Sequence, residues 1–363
     1  MNLKNRKLRE FLRHLIRSVA FWITAMALFG FVRYFGIEDE IGISIAKSYT
    51  ELYNFSRILI LFMLSGSLMG VLYAAIEYLI GTYLTLRISL VWSVAIQIVL
   101  VFVAAIVLAD GIFRLASLSR DISLNLHLGW WYEDRTFFPV LAYIPFASFV
   151  FSMYIVVSDS FSNGLFLKLM LGHYKKPREE WRMFMFLDLK NSTSIAERIG
   201  HFKFSQLIQD CFYDLNEIIL SYEAEIYQYV GDEAVLTWPY AKGMAKNNSL
   251  HLFFAFLQHI EDKKEVYLKK YGMVPSFKAG LHGGSVMASA VGVFKKELAY
   301  HGDVVNTAAR IQGECNRHEV PILISEKLTE DIRVDGAFST EFIGSLRLKG
   351  KEKEVRIHTV KMK

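Results

Sequence analysis

The sequence predicts a helical membrane domain of four spans followed by an α+β domain built on one sheet. Two observations carry that expectation. The long apolar stretches are confined to the first half of the chain, and from Met183 onward short strand-like runs alternate with amphipathic helical ones. Charge is divided along the same line. Residues 1–182 carry 18 Lys+Arg against 13 Asp+Glu, whereas residues 183–363 carry 23 of each. The excess positive charge therefore lies in the apolar half, which points to membrane flanks and not to nucleic acid. With 53% hydrophobic residues and a mean hydropathy of +0.28, the 363-residue chain is too apolar for a wholly soluble protein, and it is neither disordered nor fibrous.

A span needs about 20 apolar residues. The first candidate runs from about Leu15 to Ile37, with Arg33 near its far end, where a long side chain can snorkel to the interface. A cleaved signal peptide is the alternative, disfavoured by the long basic leader and the lack of a clean small-residue cleavage site. The second runs from Ile58 to Ile76, the third from Ile88 to Ala109, and the fourth from Thr136 to Ser158 with Pro139 and Pro145 inside it. Basic residues cluster before the first span, at Arg87 and after the fourth, and acidic ones in the first and third loops. The positive-inside rule then puts both termini in the cytoplasm of a cell with a multi-pass protein in its plasma or inner membrane. Glu77 reads as an interface residue and Gln97 as a helix–helix hydrogen-bonding group. The 110–136 loop, with Trp130 and Trp131, reads as an interfacial segment. Together these delimit a membrane domain over 1–158.

Residues 159–182 read as a juxtamembrane linker. Phe161, Leu165, Phe166, Leu169 and Met170 recur at helical spacing, and Gly172 and Pro177 end the helix. Residues 183–363 form the remaining domain. Met183–Leu187 reads as a buried strand ending in Asp188. Ser194 and Glu197 have capping-box spacing. Helices are expected over Lys203–Ser221, Met244–Lys270 and Val304–Cys315. Glu225–Val230 and Ala234–Trp238 read as a hairpin turning at Gly231-Asp232-Glu233, and further strands are expected at Phe277–His282, Val291–His301, Pro321–Ile324, Phe338–Leu348 and Glu354–Val360. Cys211 and Cys315 form neither a metal spacing nor a disulfide framework and read as buried thiols.

Asp188 closes an apolar strand and Asp232 sits in a hairpin turn. Adjacent central strands would set these carboxylates side by side, where they repel each other unless a cation lies between them. Hard cations such as Mg²⁺ take such oxygens together with substrate phosphates. Asn306 and Arg310, four residues apart, share one helix face. Phe186-Leu-Asp-Leu-Lys-Asn-Ser-Thr193, Tyr229-Val-Gly-Asp-Glu233 and Gly302-Asp-Val-Val-Asn-Thr-Ala-Ala-Arg310 resemble, in order and spacing, the three signature blocks of class III nucleotide cyclases. The resemblance covers about residues 183–360.

That resemblance implies a ferredoxin-like α+β catalytic domain that closes a nucleoside triphosphate to its 3′,5′-cyclic monophosphate. It implies two Mg²⁺ or Mn²⁺ ions per site, held by Asp188, Asp232 and the Leu189 carbonyl, with Asn306 orienting the ribose and Arg310 stabilising the transition state. It implies a head-to-tail homodimer whose sites draw the aspartates from one chain and Asn306 and Arg310 from the other, with 292–301 as a clasping arm. Lys349, in Leu348-Lys-Gly-Lys351, resembles the triphosphate-binding lysine of the family's tail block. The chain departs from the family at the base-selecting positions, where Gln228 replaces the usual Lys or Glu and Ala299 the usual Asp, Thr or Cys. Gln228 can meet either purine. The missing guanine-selecting Glu and Cys favour ATP, with GTP or dual specificity as the alternative. A degenerate nucleotide-binding module is a poorer reading, since all four metal and transition-state residues are present. No G-x-x-x-x-G-K-[ST], no G-G-[DE]-E-F block and no paired intramembrane charge points to a P-loop NTPase, a diguanylate cyclase or a transporter.

Overall fold

The computed structural model describes residues 3–35, 55–83, 88–117, 138–159, 165–292, 296–331, 337–347 and 354–363. Arg87, Trp130, Trp131, Phe161, Lys349 and Lys351 lie outside the described residues, as does most of the 110–136 loop. The chain divides into two compact units, Met1–Val157 and Ser158–Lys363.

The first unit contains α1 (Leu3–Phe35), α2 (Phe55–Tyr83), α3 (Leu90–Ser117) and α4 (Phe138–Asp159). Each holds a stretch long and apolar enough to cross a membrane: His14–Val32, Leu59–Gly81, Leu90–Gly111 and Phe138–Ser158. The α1–α2 seam is built on small residues. A Cβ at Gly66 would lie 2.5 Å from the Trp22 carbonyl oxygen, and one at Gly70 2.5 Å from the Val19 Cα. This G-x-x-x-G spacing lets the backbones touch, which in lipid is a principal source of helix association. Ser18 donates to the Gly70 carbonyl at 2.8 Å, and Tyr73 shares a 2.8 Å hydrogen bond with Ser152. Glu77 stands 3.5 Å from His14 Nδ1. Gln97 is buried, and its amide nitrogen finds no hydrogen-bond partner among the described residues.

The second unit opens with the short α5 (Leu165–Met170) and is built on one sheet of eight strands. These are β1 (Arg178–Leu189), β2 (Glu225–Val230), β3 (Glu233–Pro239), β4 (Phe277–Val291), β5 (Glu297–His301), β6 (Ile322–Ser325), β7 (Phe338–Leu346) and β8 (Val355–Met362). The order is β2-β3-β1-β4-β6-β8-β7, with β5 hairpinned onto β4. Only β4 and β6 pair in parallel. The helices between strands are α6 (Ser192–Ile199), α7 (His201–Ile219), α8 (Tyr240–Met244), α9 (Asn248–Asp262), α10 (Lys264–Tyr271), α11 (Asp303–Gly313) and α12 (Glu326–Asp331).

Strand alternation divides β1 between two cores. Met183, Met185, Leu187 and Leu189 join the core that packs under α6, α7, α9 and α10. Phe184 and Phe186 face the other side, with Val235, Val286, Tyr300, Val304 and Ala308. Burial on both faces is why the middle of β1 reads as a continuous apolar run. On the second face α11 lies directly on β4. A Cβ at Gly280 would meet the Gln312 backbone nitrogen at 2.2 Å, so only glycine allows this approach.

Several boundaries differ from the sequence expectation. β1 begins at Arg178, inside the supposed linker, because Glu180 and Arg182 neutralise each other within the sheet. α6 begins at Ser192 after Asn191 in the left-handed region (φ 56°), with no side-chain cap bond, so the Ser194/Glu197 capping box is not used. The expected Met244–Lys270 helix is broken twice: Lys246 and Asn247 take positive φ, and Lys263 leaves helical geometry between α9 and α10. The expected Val291–His301 strand is instead the end of β4 followed by β5.

Candidate active site

One end of the sheet gathers three carboxylates. Asp188 stands near the end of β1, Asp232 in the two-residue turn between β2 and β3, and Glu233 directly opposite Asp188 in the β1–β3 register. Burial pushes the Asp188 carboxyl above its usual range, and the Asp232 charge adds to this. The hydrogen bond and charge of Lys278, and the hydrogen bond of Gln312, pull the other way. Glu233 is pushed up to about 7, first by burial and then by Asp188 and Asp232. Lys278, across the β1–β4 pairing, places its ammonium 3.2 Å from Asp188 Oδ2, and the Gln312 amide donates to the same oxygen at 2.8 Å. Mutually repelling carboxylates, partly withdrawn from water, form a hard-oxygen set that fits Mg²⁺ or Mn²⁺. The Leu189 side chain is buried, so any ligand role there belongs to its backbone carbonyl.

α11 presents two faces. Gln312 is buried and turned to Asp188, while Asn306 and Arg310 are exposed. At 3.6 residues per turn, Gln312 lies about 200° around the helix from Arg310 and about 240° from Asn306. The structure thus brings Asp188 and Asp232 together and sets Asn306 and Arg310 on the side of α11 away from them.

The base-selecting positions lie on β2 and β5. A bulge between Ile226 and Gln228 interrupts the alternation of β2. Ile226 packs under the helices, whereas Tyr227 packs with the α11-side core and Gln228 lies opposite Val235 of that core. Tyr227 and Gln228 therefore share the α11 face. Ala299 pairs with Ser289 and its neighbour Tyr300 with Ala288. The strands meet through Tyr227 and Tyr300, with ring centroids 5.1 Å apart.

Sequence reasoning missed Glu233, Lys278 and Gln312. Their only signal was adjacency to motifs: Glu233 follows Asp232, Gln312 follows Arg310 by two, and Lys278 is a charge in an apolar strand. A separate cluster on α7 and α9 brings Asp214, Glu217 and His259 within 4.8 Å, a spacing able to hold a metal ion. The Lys263 ammonium already bonds Asp214 at 2.6 Å and Glu217 at 3.1 Å, so the cluster carries its own cation.

Comparison with known proteins gives the family. Residues 174–362 match the family described as the adenylate and guanylate cyclase catalytic domain, and the chain belongs to that family. It is 36% identical over 201 residues to adenylate cyclase 2 of Rhizobium meliloti (strain 1021), covering 55% of each chain. It is 25% identical over 180 residues to an adenylate cyclase of Anabaena cylindrica, covering 49% of this chain and 36% of that one. The chain thus spans about half or less of the length of these relatives. A bacterial light-regulated adenylyl cyclase shares the fold, with a TM-score of 0.52 and 14% identity over 62% of this chain and 65% of that one.

Proposed function

We propose that the protein is a membrane-anchored adenylate cyclase, with a four-span domain over 1–158, a linker over 159–182 and a catalytic domain over 183–363. It would convert ATP to 3′,5′-cyclic AMP and pyrophosphate in a head-to-tail homodimer. The observation that carries the reading is the split of site residues between the two faces of α11. Asp188 and Asp232 are held together, while Asn306 and Arg310 are exposed on another side of α11, the side a second copy would approach.

In the reaction the ribose 3′-oxygen loses its proton and bonds to the α-phosphorus, and the bond from that phosphorus to the bridging oxygen breaks, releasing pyrophosphate. Asp188, Asp232 and the Leu189 carbonyl would hold two Mg²⁺ or Mn²⁺ ions, whose chemistry is activation of the 3′-hydroxyl and neutralisation of phosphate charge. Gln312 and Lys278 fix the Asp188 carboxylate in place. Asn306 of the second copy would hydrogen-bond the ribose, and its Arg310 would offer a guanidinium fork to the phosphoryl oxygens as charge builds on them. Lys349 would bind the triphosphate. Gln228, assisted by no polar group at Ala299, would read the base through one amide, which favours adenine without excluding guanine.

The test is turnover by the full chain in lipid nanodiscs, with ATP or GTP, with Mg²⁺ or Mn²⁺, and with the product identified by mass. Cyclic AMP as the main product, abolished by Asp188→Ala and by Asp232→Ala in folded protein, is the expected result. Turnover that survives in either variant would remove the two-aspartate site, and cyclic GMP as the main product would make the chain a guanylate cyclase.

A further inference from the structure

Arg182 lies at the start of the buried part of β1, on the α11 side, and is only 4% exposed. Its Nη1 donates to Glu225 Oε2 at 2.7 Å and its Nε to Glu180 Oε2 at 2.9 Å. Its guanidinium lies over the Tyr300 ring, 5.1 Å from the centroid. Glu225 opens β2, three residues before Gln228, and Tyr300 on β5 is the neighbour of Ala299. The network continues to the segment ahead of β1. The Tyr174 hydroxyl donates to Glu180 Oε1 at 2.8 Å, and the Tyr174 carbonyl accepts from the Ala290 amide of β4 at 3.0 Å. Leu165 and Leu169 of α5 pack against the same core.

A buried guanidinium between two carboxylates is a weak source of stability, because desolvation offsets much of the attraction. What it supplies is geometry, since a planar fork fixes two partners and an aromatic face at once. Those partners stand on the two strands that carry the base-selecting positions. On the cyclase reading the base is read by one neutral amide, Gln228, which shares the α11 face with Tyr300, whereas Ala299 alternates to the other face of β5, so small displacements of β2 against β5 change what that amide meets.

We propose that Arg182 is a positioning residue for base recognition, tying β2 and β5 to the central strand so that Gln228 and the Ala299–Tyr300 step are held in register. The proposal rests on the cyclase reading above and names a determinant of its substrate selectivity outside the signature blocks.

The experiment compares Glu225→Gln, Arg182→Lys and Tyr174→Phe in the full chain in nanodiscs, with Gln228→Glu as the reference. Melting and circular dichroism check the fold, and kcat and KM are measured separately for ATP and GTP. Folded Glu225→Gln and Arg182→Lys should raise KM for ATP by about threefold to tenfold, with kcat changed less, and move the ATP/GTP ratio of kcat/KM towards one. Tyr174→Phe, which leaves the Arg182–Glu225 bond in place, should move it less. If Arg182→Lys does not fold, Glu225→Gln decides. A folded Glu225→Gln with wild-type KM and ratio overturns the proposal. If Gln228→Glu alone moves the ratio, the positioning role is lost and Gln228 stands as the reader. If Glu225→Gln moves it and Gln228→Glu does not, Arg182 acts through Tyr300 and β5, and Gln228 is not the reader. Absence of turnover of either nucleotide by the wild-type chain overturns both readings.

Discussion

The proposed two-chain site fixes how two inactive variants should behave when mixed. Within one chain Gln312 contacts Asp188 at 2.8 Å, and Arg310 points to the opposite side of α11. To serve its own Asp188, the guanidinium would have to pass around a helix about 10 Å across with its side chains, and α11 is pinned against β4 at Gly280. Asp188→Asn keeps the side-chain shape and removes the charge. Arg310→Ala removes the guanidinium from an exposed position. Each variant alone should lose activity by about a hundredfold or more, the scale of removing one transition-state contact. In an equal mixture about half of the dimers are mixed, and one of the two sites in each mixed dimer has both residues intact, so activity should recover to about a quarter of wild type. Co-expression with two different tags and tandem purification would isolate the mixed dimers, which should show about half of wild-type turnover on the same count. Purified mixed dimers no more active than the parent variants would refute the two-chain site. Mixed dimers at wild-type rate would refute the head-to-tail symmetry.

Other expectations follow from the same contacts. Gln312→Ala leaves Asp188 Oδ2 held by Lys278 alone and should weaken Mn²⁺ binding, read by titration calorimetry, by about tenfold, as is typical when a hydrogen bond behind a metal ligand is lost. Gly280→Ala would place a Cβ 2.2 Å from the Gln312 backbone nitrogen. It should lower stability by about 1–3 kcal/mol, read as a fall in melting temperature, and reduce activity through displacement of α11. The Asp214–Glu217–Lys263 cluster should give stability two pH limbs. Burial raises the Glu217 pKa, but the hydrogen bond and charge of Lys263 outweigh it and leave the group below its ordinary 4.5. Its contribution is present above 4.5 and is lost as pH falls through the lower folded value. Burial lowers Lys263, but its bonds to Asp214 and Glu217 hold it above 10.5, so its contribution is present below 10.5 and fades as pH rises through the raised value. Glu217→Gln should flatten the acid limb of a melting-temperature profile, and an unchanged acid limb would show that the pair contributes nothing.

Much of the fold is legible in the sequence because burial on one or both faces writes itself as periodicity. Four helices long and apolar enough to span a membrane are found within a few residues of the expected apolar runs; the fourth, expected over 136–158, is observed as Phe138–Ser158. The Gly66/Gly70 seam is not among the sequence expectations, since glycine spacing alone does not name the helix it packs against. What hydropathy cannot show is a polar pair that buries itself. Arg178–Arg182 reads as a solvated linker, yet Arg182 is buried because Glu180 and Glu225 stand beside it, and Glu225 arrives from a strand far along the chain. The break at Lys263 is hidden for a similar reason: a lysine at helical spacing looks like a solvated face, but here it turns to two carboxylates on α7.

The site divides in the same way. Asp188, Asp232, Asn306 and Arg310, the proposed site residues, are picked out because each sits in a local signature. Lys278 and Gln312 are not, because their meaning depends on which strand lies beside β1 and which helix crosses β4. That dependence has a mechanical consequence on the two-chain reading. The inner face of α11 steadies Asp188 of its own chain through Gln312, and the outer face offers Asn306 and Arg310 to the site of the other copy. A shift of one α11 would therefore disturb the aspartate of one site and the transition-state contacts of the other together. Gly280 and the Gln312–Asp188 bond, which hold α11 against the sheet, set how freely that shift can occur.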